Sequence, residues 1–357
     1  MSGEEAAVLE EFLPQDAMDS GAPSAERRVL LRCLEPIADL LADSELTEIV
    51  VNRPGEVFTE GPNGWRCHER GGLAFSHLMN LATAAAAFTR QDIAPDHPIV
   101  STVLPMGERC QIVAPPAVPA GAVSLTIRKV AAAAMTLDEF ERRSLFADIR
   151  RASDGLSADE EALVGLRDAG HWRAFLERAV ASRRNIVISG ATGSGKTTLA
   201  KGLVALIPDH ERILTIEDTA ELTIPQPNHV RLLYAKDGSG VAKIGPRELL
   251  ESALRMRPDR ILLQELRDGT AFYYLRNVNS GHPGSITTVH ADSARLAFEQ
   301  LTLLVKESAE GRELAREDIR RLLHLTIDIV VQMSRRDGRY RITEIHYDPE
   351  AKRRNAF

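Results

Sequence analysis

The chain has 357 residues, of which 44% are hydrophobic and 27% charged, a composition typical of a globular protein with about two domains. Its formal net charge of −7 argues against nonspecific nucleic-acid binding, which depends on neutralising phosphates with Lys and Arg. The three cysteines are scattered and odd in number, which excludes a disulfide framework and a cysteine-rich zinc module.

The first part of the chain mixes helices with short strands. Residues 1–22 are small, acidic and weakly patterned, so we predict a flexible N-terminus there. Apolar residues recur at helical spacing from Ser24 to Leu41, and the Ala-rich stretch Phe75–Arg90 is also predicted to be helical. Strands between turns are predicted at Leu46–Asn52, Glu56–Glu60, Ile99–Leu104, Arg109–Ala114 and Val123–Arg128. We therefore predict a smaller α+β N-terminal domain over residues 23–130.

The second part of the chain alternates strands with helices. Residues 131–170 are rich in charge and are predicted to form an interdomain linker, or alternatively the edge of the second domain. Strands are then predicted at Ile186–Ser189, Arg212–Ile216, Val230–Tyr234, Arg260–Leu263 and Ser285–Val289. This alternation predicts an α/β domain over residues 171–357. The basic tail from Arg335 to Arg354 is interpreted as a solvated end.

A phosphate-binding loop is predicted between the first of these strands and a helix. The pattern G-x-x-x-x-G-K-[ST] is met by Gly190, Ala191, Thr192, Gly193, Ser194, Gly195, Lys196 and Thr197. Glycines let backbone N–H groups wrap a phosphate, and the helix that continues through Thr198 offers its N-terminus to the same anion. Lys196 is expected to reach the β- and γ-phosphates and Thr197 to place its hydroxyl on Mg²⁺. A Gly-rich turn without a ligand is the weaker alternative, because strand and helix flank the loop as the chemistry requires.

Hydrolysis also needs acidic groups to hold the metal and to orient a water molecule. Glu217 and Asp218 follow one predicted strand, and Glu265 follows another. The carboxyl ends of strands in an open α/β sheet are where ligands bind, so we predict Glu217 and Glu265 as shared metal and catalytic residues with Lys196. Glu265 stands where the strand-terminal Asp of a Walker B element is usual, and the polar Gln264 precedes it.

Several segments together resemble the secretion and traffic ATPases, which drive type II and type IV secretion and pilus movement. Thr215–Leu222 is similar to the family's Asp box, Arg257–Asp268 to its Walker B segment and Gly281–Asp292 to its His box. The type IV branch is the closer match, since the paired-CxxC module of the type II branch is absent. The resemblance covers roughly residues 40–350, with Gln264 replacing the usual Gly.

The resemblance implies a RecA-like P-loop motor domain in a homohexameric ring, with nucleotide held between the two domains. It implies that Arg109 and Arg128 reach the phosphates from the N-terminal domain, that His282 is a sensor near the phosphates, and that His290 ties the site to a neighbouring subunit. It also admits Arg255 and Arg257 as intersubunit contacts. Without the family, both arginines of the N-terminal domain read as surface charges and both histidines as ordinary polar residues.

The resulting hypothesis is a hexameric ATPase that uses ATP and Mg²⁺ to power substrate translocation or pilus assembly in a type IV secretion system. The N-terminus lacks a basic-then-apolar signal, so we expect a cytoplasmic protein peripherally associated with the inner membrane. Expected partners are copies of itself, other secretion components and a secreted protein or nucleoprotein, without sequence-specific nucleic-acid binding. The alternatives are a nucleotide-gated scaffold with little turnover and a nucleic-acid translocase.

Overall fold

The computed structural model describes residues 24–130, 135–149, 155–236, 240–278 and 281–354. The chain divides into two compact units. The first contains residues 1–151, 237–243 and 255–257, and the second contains the remainder. The predicted flexible segment 1–22 lies outside the described residues, and the predicted domain boundaries stay predictions.

The first unit is built on a six-stranded antiparallel sheet with the order β3-β2-β1-β6-β5-β4. Its strands are β1 Glu48–Val51, β2 Glu56–Gly61, β3 Gly64–Glu69, β4 Ile99–Val103, β5 Arg109–Val113 and β6 Ser124–Arg128. Its helices are α1 Ala25–Leu34, α2 Ala38–Ala42, α3 Phe75–Phe88 and α4 Leu137–Arg142. The sequence did not predict β3.

One face of this sheet is covered by helices, which closes the core of the unit. The hydroxyl of Ser24 accepts a hydrogen bond from the backbone of Arg27 and so caps α1 at its N-terminus. Helices α1 and α3 then bury Leu30 and Leu78 in the same apolar cluster as Ile49 of the sheet. Each such side chain contributes about 1.5–3 kcal/mol when fully buried, so the helices are held by packing more than by their own propensity.

The second unit contains the remaining strands in two hydrogen-bonded sets. Their orders are β10-β8-β9 and β11-β7-β12-β13, and every pairing is parallel except that of β12 with β13. The strands are β7 Ile186–Ser189, β8 Ile213–Glu217, β9 His229–Leu233, β10 Arg260–Leu263, β11 Ile286–Val289, β12 Ile329–Arg336 and β13 Arg339–Tyr347. The backbone N–H of Leu266, just past β10, donates to the carbonyl of Thr288 in β11 at 2.8 Å and joins the two sets. The carboxyl ends of β7, β8, β10 and β11 therefore share one edge.

Helices pack on this sheet as the alternating pattern predicted. They are α5 Ala158–Asp168, α6 Trp172–Ala181, α7 Lys196–Val204, α8 Pro246–Ala253, α9 Thr270–Val278, α10 Ala294–Glu307, α11 Ala309–Arg312, α12 Arg316–Thr326 and α13 Pro349–Arg354. Leu163 of α5 is fully buried in the core of this unit, although it falls in the predicted linker. Among the described residues, no helix combines the length and the apolar character that crossing a bilayer requires.

The C-terminal part differs from its prediction as a solvated tail. Residues up to Arg336 continue β12, and Arg339–Tyr347 returns as its antiparallel partner. Asp337 and Gly338, with φ of 50° and 75°, form the turn between them. Asp-Gly is favoured in such two-residue hairpin turns because both positions need positive φ.

A buried ion pair fastens the start of β10. The side chain of Arg260 is inaccessible to solvent, and its Nε and Nη2 atoms donate to the two carboxylate oxygens of Glu211 at 2.8 Å. The same guanidinium donates to the carbonyls of Val180 at 2.9 Å and Gly284 at 3.3 Å. Arg183 adds a longer contact to the same carboxylate at 3.2 Å, so the buried Arg260 is the main compensation for the charge of Glu211.

We expect the substitution Arg260→Met to lower the free energy of unfolding by about 3–5 kcal/mol, since it removes both hydrogen bonds of Arg260 to the buried carboxylate of Glu211 and leaves that group the longer contact with Arg183 at 3.2 Å. The double variant Arg260→Met/Glu211→Leu should recover most of that loss. Chemical denaturation measures both. Arg173→Ala, which breaks an exposed pair with Glu177 on α6, is the control and should leave the midpoint nearly unchanged. Equal destabilisation by the single and double variants would contradict this interpretation.

Candidate active site

The predicted phosphate loop lies between β7 and α7, at the shared carboxyl edge. Gly190, Gly193 and Gly195 have φ of 154°, 72° and 93°, values that L side chains rarely adopt. A Cβ at Gly190 would also lie 2.5 Å from the carbonyl oxygen of Met333 in β12. The loop leads directly into α7, whose first N–H groups have no intrahelical acceptor. Glycine is therefore required both by the backbone conformation and by the neighbouring strand, and the loop has the form that cradles phosphate.

Lys196, the first residue of α7, is held inside this loop. Its side chain is folded back so that Nζ donates to the carbonyls of Gly190 at 2.8 Å and Ala191 at 3.0 Å. Nζ also lies 3.4 Å from Nδ1 of His290. Burial lowers the pKa of Lys196, and the nearby carboxylate of Glu265 opposes that shift. The ammonium group is thus held within the glycine-rich loop.

Glu265 lies two residues past β10 and faces the same place. One of its carboxylate oxygens, Oε1, lies 2.7 Å from Nε2 of His290. The other, Oε2, accepts a short hydrogen bond from Arg267, which in turn donates to Asp218 Oδ2 at 3.1 Å. A continuous chain of hydrogen bonds and ion pairs, which we call the ionic chain, therefore joins Lys196, His290, Glu265, Arg267 and Asp218.

The structure assigns Glu217 to its own loop instead of to this chain. Its side chain is inaccessible to solvent, and Oε2 accepts hydrogen bonds from the backbone N–H groups of Glu221 at 2.8 Å and Leu222 at 2.9 Å. Its Oε1 accepts from the hydroxyl of Thr215 at 2.6 Å. The residue from this segment that joins Glu265, through Arg267, is the neighbouring Asp218. The alternation of side chains along a strand explains the difference, because adjacent residues point to opposite faces.

Of the two predicted histidines, the structure brings His290 to Lys196 and Glu265. His290 follows β11 and contacts both Lys196 and Glu265, whereas His282 precedes that strand. The backbone N–H of Gly284, two residues after His282, donates to Asn185 at 2.9 Å, at the start of β7. A strand rises about 3.3 Å per residue, so this amino edge is roughly 15 Å from the phosphate loop. His282 is thus not brought to the phosphate loop of its own chain.

The predicted arginines Arg109, Arg128 and Arg257 lie in the first unit. Arg109 and Arg128 are paired across β5 and β6 of the first unit, so their side chains leave the same face of that sheet. Nε of Arg128 lies 3.3 Å from a carboxylate oxygen of Glu48 on β1. Arg257 forms an ion pair with Glu60. The catalytic role of the two paired arginines stays a prediction.

The hydrogen bonds of Gln264 are made by its backbone, so a residue with any side chain could make them. Its N–H donates to the carbonyl of Ile216 at 3.2 Å, and its carbonyl accepts from the hydroxyl of Thr288 at 3.1 Å. These bonds connect β8, β10 and β11 beside Glu265. Nothing in the structure explains why glutamine replaces the glycine usual in the family.

Sequence reasoning missed Asp218 and Arg267 as members of the ionic chain. Arg267 lies two residues after Glu265, and its contact with Asp218 depends on β8 and β10 being neighbours in the sheet. The parallel pairing of those strands was not assigned from the sequence. A charged residue following each of two such strands is the signal that could have found the pair.

Comparisons with a family model, with curated proteins and with solved structures all lead to one family. Residues 33–339 match the family described as Type II/IV secretion system protein. The type IV secretion system protein VirB11 of Bartonella quintana is 53% identical over 340 residues, which cover 92% of this chain and 95% of that protein. VirB11 of Brucella suis is 46% identical over 326 residues, 90% of each protein. The crystal structure of the VirB11 ATPase from the Brucella suis type IV secretion system, in complex with sulphate, matches with a TM-score of 0.88 and 44% identity over 93% of this chain and 98% of that one.

The phosphate loop at the carboxyl edge of a largely parallel sheet, with Lys196 and Glu265 converging on it, defines a RecA-like P-loop ATPase. By the similarities above, the chain belongs to the type II/IV secretion system protein family, and it is an ATPase of a type IV secretion system. The predicted fold class, family and enzyme class are confirmed.

We expect Lys196→Ala to reduce ATP turnover about 10²- to 10³-fold, the loss typical of removing one preorganised group that stabilises charge in a transition state. The matched control is Lys201→Ala, farther along the same helix, which should retain activity. Steady-state phosphate release measures both. Comparable loss in the two variants would show that the charge of α7, and not the position of Lys196, is what matters.

We expect Glu217→Gln to lower the free energy of unfolding by about 1.5–3 kcal/mol, because a carboxylate that accepts two backbone N–H groups is replaced by a neutral amide. Thermal and chemical unfolding without nucleotide measure the change. Asp218→Asn, on the adjacent residue, should affect stability less. An unchanged unfolding free energy for Glu217→Gln would favour the sequence-based prediction, in which Glu217 and Glu265 share metal binding and the positioning of water.

Proposed function

We propose that the chain assembles into a homohexameric ring and uses Mg²⁺-dependent ATP hydrolysis to move a secreted protein or nucleoprotein, or to assemble a pilus. The ring would work on the cytoplasmic side of the inner membrane, together with other components of the secretion system. The observation that carries the proposal is the contact of Lys196 and Glu265 with the same imidazole of His290, at the mouth of a phosphate loop.

The residues of this site fit ATP and Mg²⁺. The glycine-rich loop offers backbone N–H groups to the phosphates, Lys196 offers a cation, and Thr197 follows Lys196 at the position where a hydroxyl binds the metal. Within the described part of the chain, no group of three or more His, Cys, Asp or Glu side chains is arranged to hold a metal by itself. A magnesium ion bound through one hydroxyl, waters and phosphate oxygens does not need such a group. When bound, the ion neutralises charge on the β- and γ-oxygens.

The protein's own groups then have separate tasks in our proposal. Lys196 holds the terminal phosphates and stabilises their charge. Glu265 orients the attacking water, and His290, which lies against both of them, senses whether the γ-phosphate is present. Arg109 and Arg128 would supply further positive charge, as the family implies. The role of Glu217 in our proposal is to keep the loop that carries Asp218 in place.

The Brucella suis relative was crystallised with sulphate, a tetrahedral anion of the same shape as phosphate. At 44% identity and near-complete overlap with that protein, an anion-binding function is supported for this chain as well. The formal net charge of −7 argues against general binding along a nucleic-acid backbone, which depends on neutralising phosphates with Lys and Arg. We therefore favour a protein-based secretion motor over a nucleic-acid translocase.

We expect Glu265→Gln to reduce kcat about 10²- to 10⁴-fold with little change in ATP affinity, since the amide cannot accept a proton or orient water as the carboxylate does. Glu221→Gln, an exposed residue on the loop after β8, is the matched control. Turnover and ATP binding should be measured together with the particle mass in solution. If the parent protein is a folded hexamer that binds ATP tightly but turns it over at background rate, the nucleotide-gated scaffold is favoured.

A further inference from the structure

An exposed aromatic side chain lies directly on the phosphate loop. Tyr340, the second residue of β13, packs its ring against Gly195, so that a Cβ at Gly195 would lie 2.9 Å from two of the ring's carbon atoms. Even so, 53% of the surface of Tyr340 is accessible. An aromatic ring that is fixed along one side and open elsewhere is a surface on which a flat group can stack.

The hairpin that carries Tyr340 is strongly basic at its end. Arg335 is directly opposite Tyr340 in the β12–β13 register, which places both side chains on the same face. Arg336, Arg339 and Arg341 are the neighbouring positions of the same hairpin, whose side chains leave its opposite face. Among the ion pairs of the described residues, none includes any of these four arginines. Positive charge beside an anion-binding loop favours a polyanionic ligand over an apolar one.

The loop itself gives the direction in which such a ligand lies. The ammonium group of Lys196 contacts the loop at Gly190 and Ala191, next to His290, so the γ-phosphate end belongs there. Tyr340 contacts the loop at its other end, at Gly195. A nucleoside triphosphate with its γ-phosphate at Lys196 therefore directs its nucleoside toward the end where Tyr340 lies.

We propose that the β12–β13 hairpin is the nucleoside-binding part of the site: Tyr340 stacks on the purine base, and Arg335 contacts the adjoining ribose or α-phosphate. This deepens the proposed function, on which it rests, because it assigns recognition of the base to residues outside the phosphate loop. Stacking explains why an aromatic ring remains exposed at this point of the surface, and the ring's contact with Gly195 fixes its distance from the phosphates.

The test is calorimetric binding of ATP and of inorganic tripolyphosphate to the full-length protein and its variants. Tyr340→Ala should weaken ATP binding about 5- to 150-fold, the range that loss of one base–aromatic stack gives, while tripolyphosphate binding stays unchanged. Tyr340→Phe keeps the ring and should bind ATP within about threefold of the parent, on the same stacking argument. Ile342→Ala, another exposed apolar residue of β13, is the matched control and should bind both ligands normally.

The other outcomes contradict the proposal in distinguishable ways. Undiminished or tighter ATP binding by Tyr340→Ala would mean that the ring only covers the loop. Equal weakening of ATP and tripolyphosphate would mean that Tyr340 supports the loop's shape and does not recognise a base. Failure of the parent protein to bind either ligand would overturn the phosphate site itself, and this inference with it. Thermal unfolding of each variant, with Tyr340→Phe as the mildest change, separates these results from misfolding.

Discussion

The buried ammonium group of Lys196 is the constraint on which the site is arranged. A buried cation is stable only when nearby groups compensate it, because water no longer does. The protein meets this need with two loop carbonyls and, through His290, with the carboxylate of Glu265. Those groups arrive together because each follows a strand of the same sheet, and parallel strands deliver their carboxyl ends to one edge. The fold thus brings the groups that compensate the charge of Lys196 to one edge of the sheet.

Both oxygens of Glu265 are engaged, one near His290 and the other by Arg267. In our proposal Glu265 orients water, for which each of its oxygens has a second lone pair besides the present contact. Bound phosphates would bring negative charge that competes with Glu265 for Lys196 and His290 at the same place. Arg267, which also bonds to Asp218, keeps a partner when Glu265 turns away. The ionic chain can therefore rearrange without leaving an unpaired charge.

The phosphate loop could be predicted from the sequence because its chemistry is local: glycine spacing, a lysine and a hydroxyl residue specify it within a few positions. The strands before and after it were also found, since short apolar runs between turns are visible in the chain. Asp218 and Arg267 could not be found in this way, because their contact depends on which strands are neighbours. The loop contacts of Glu217 and the position of His282 before β11 could not be predicted for the same reason, as face and edge are properties of the assembled sheet. The Asp337-Gly338 turn was a local signal for the last hairpin, but its flanking arginines made the segment look like a solvated tail.

That last hairpin changes how the glycines of the loop should be understood. Gly190 lies against the carbonyl of Met333 in β12, and Gly195 lies against the ring of Tyr340 in β13. These glycines therefore have two reasons to lack a side chain: the wrapping of phosphate and the close approach of the C-terminal strands. An alanine at either position would disturb the hairpin as well as the ligand, so its effect would not measure phosphate binding alone. Gly193, which has positive φ but no neighbour within 4 Å of a Cβ, is the position where the backbone requirement of the loop stands apart from packing.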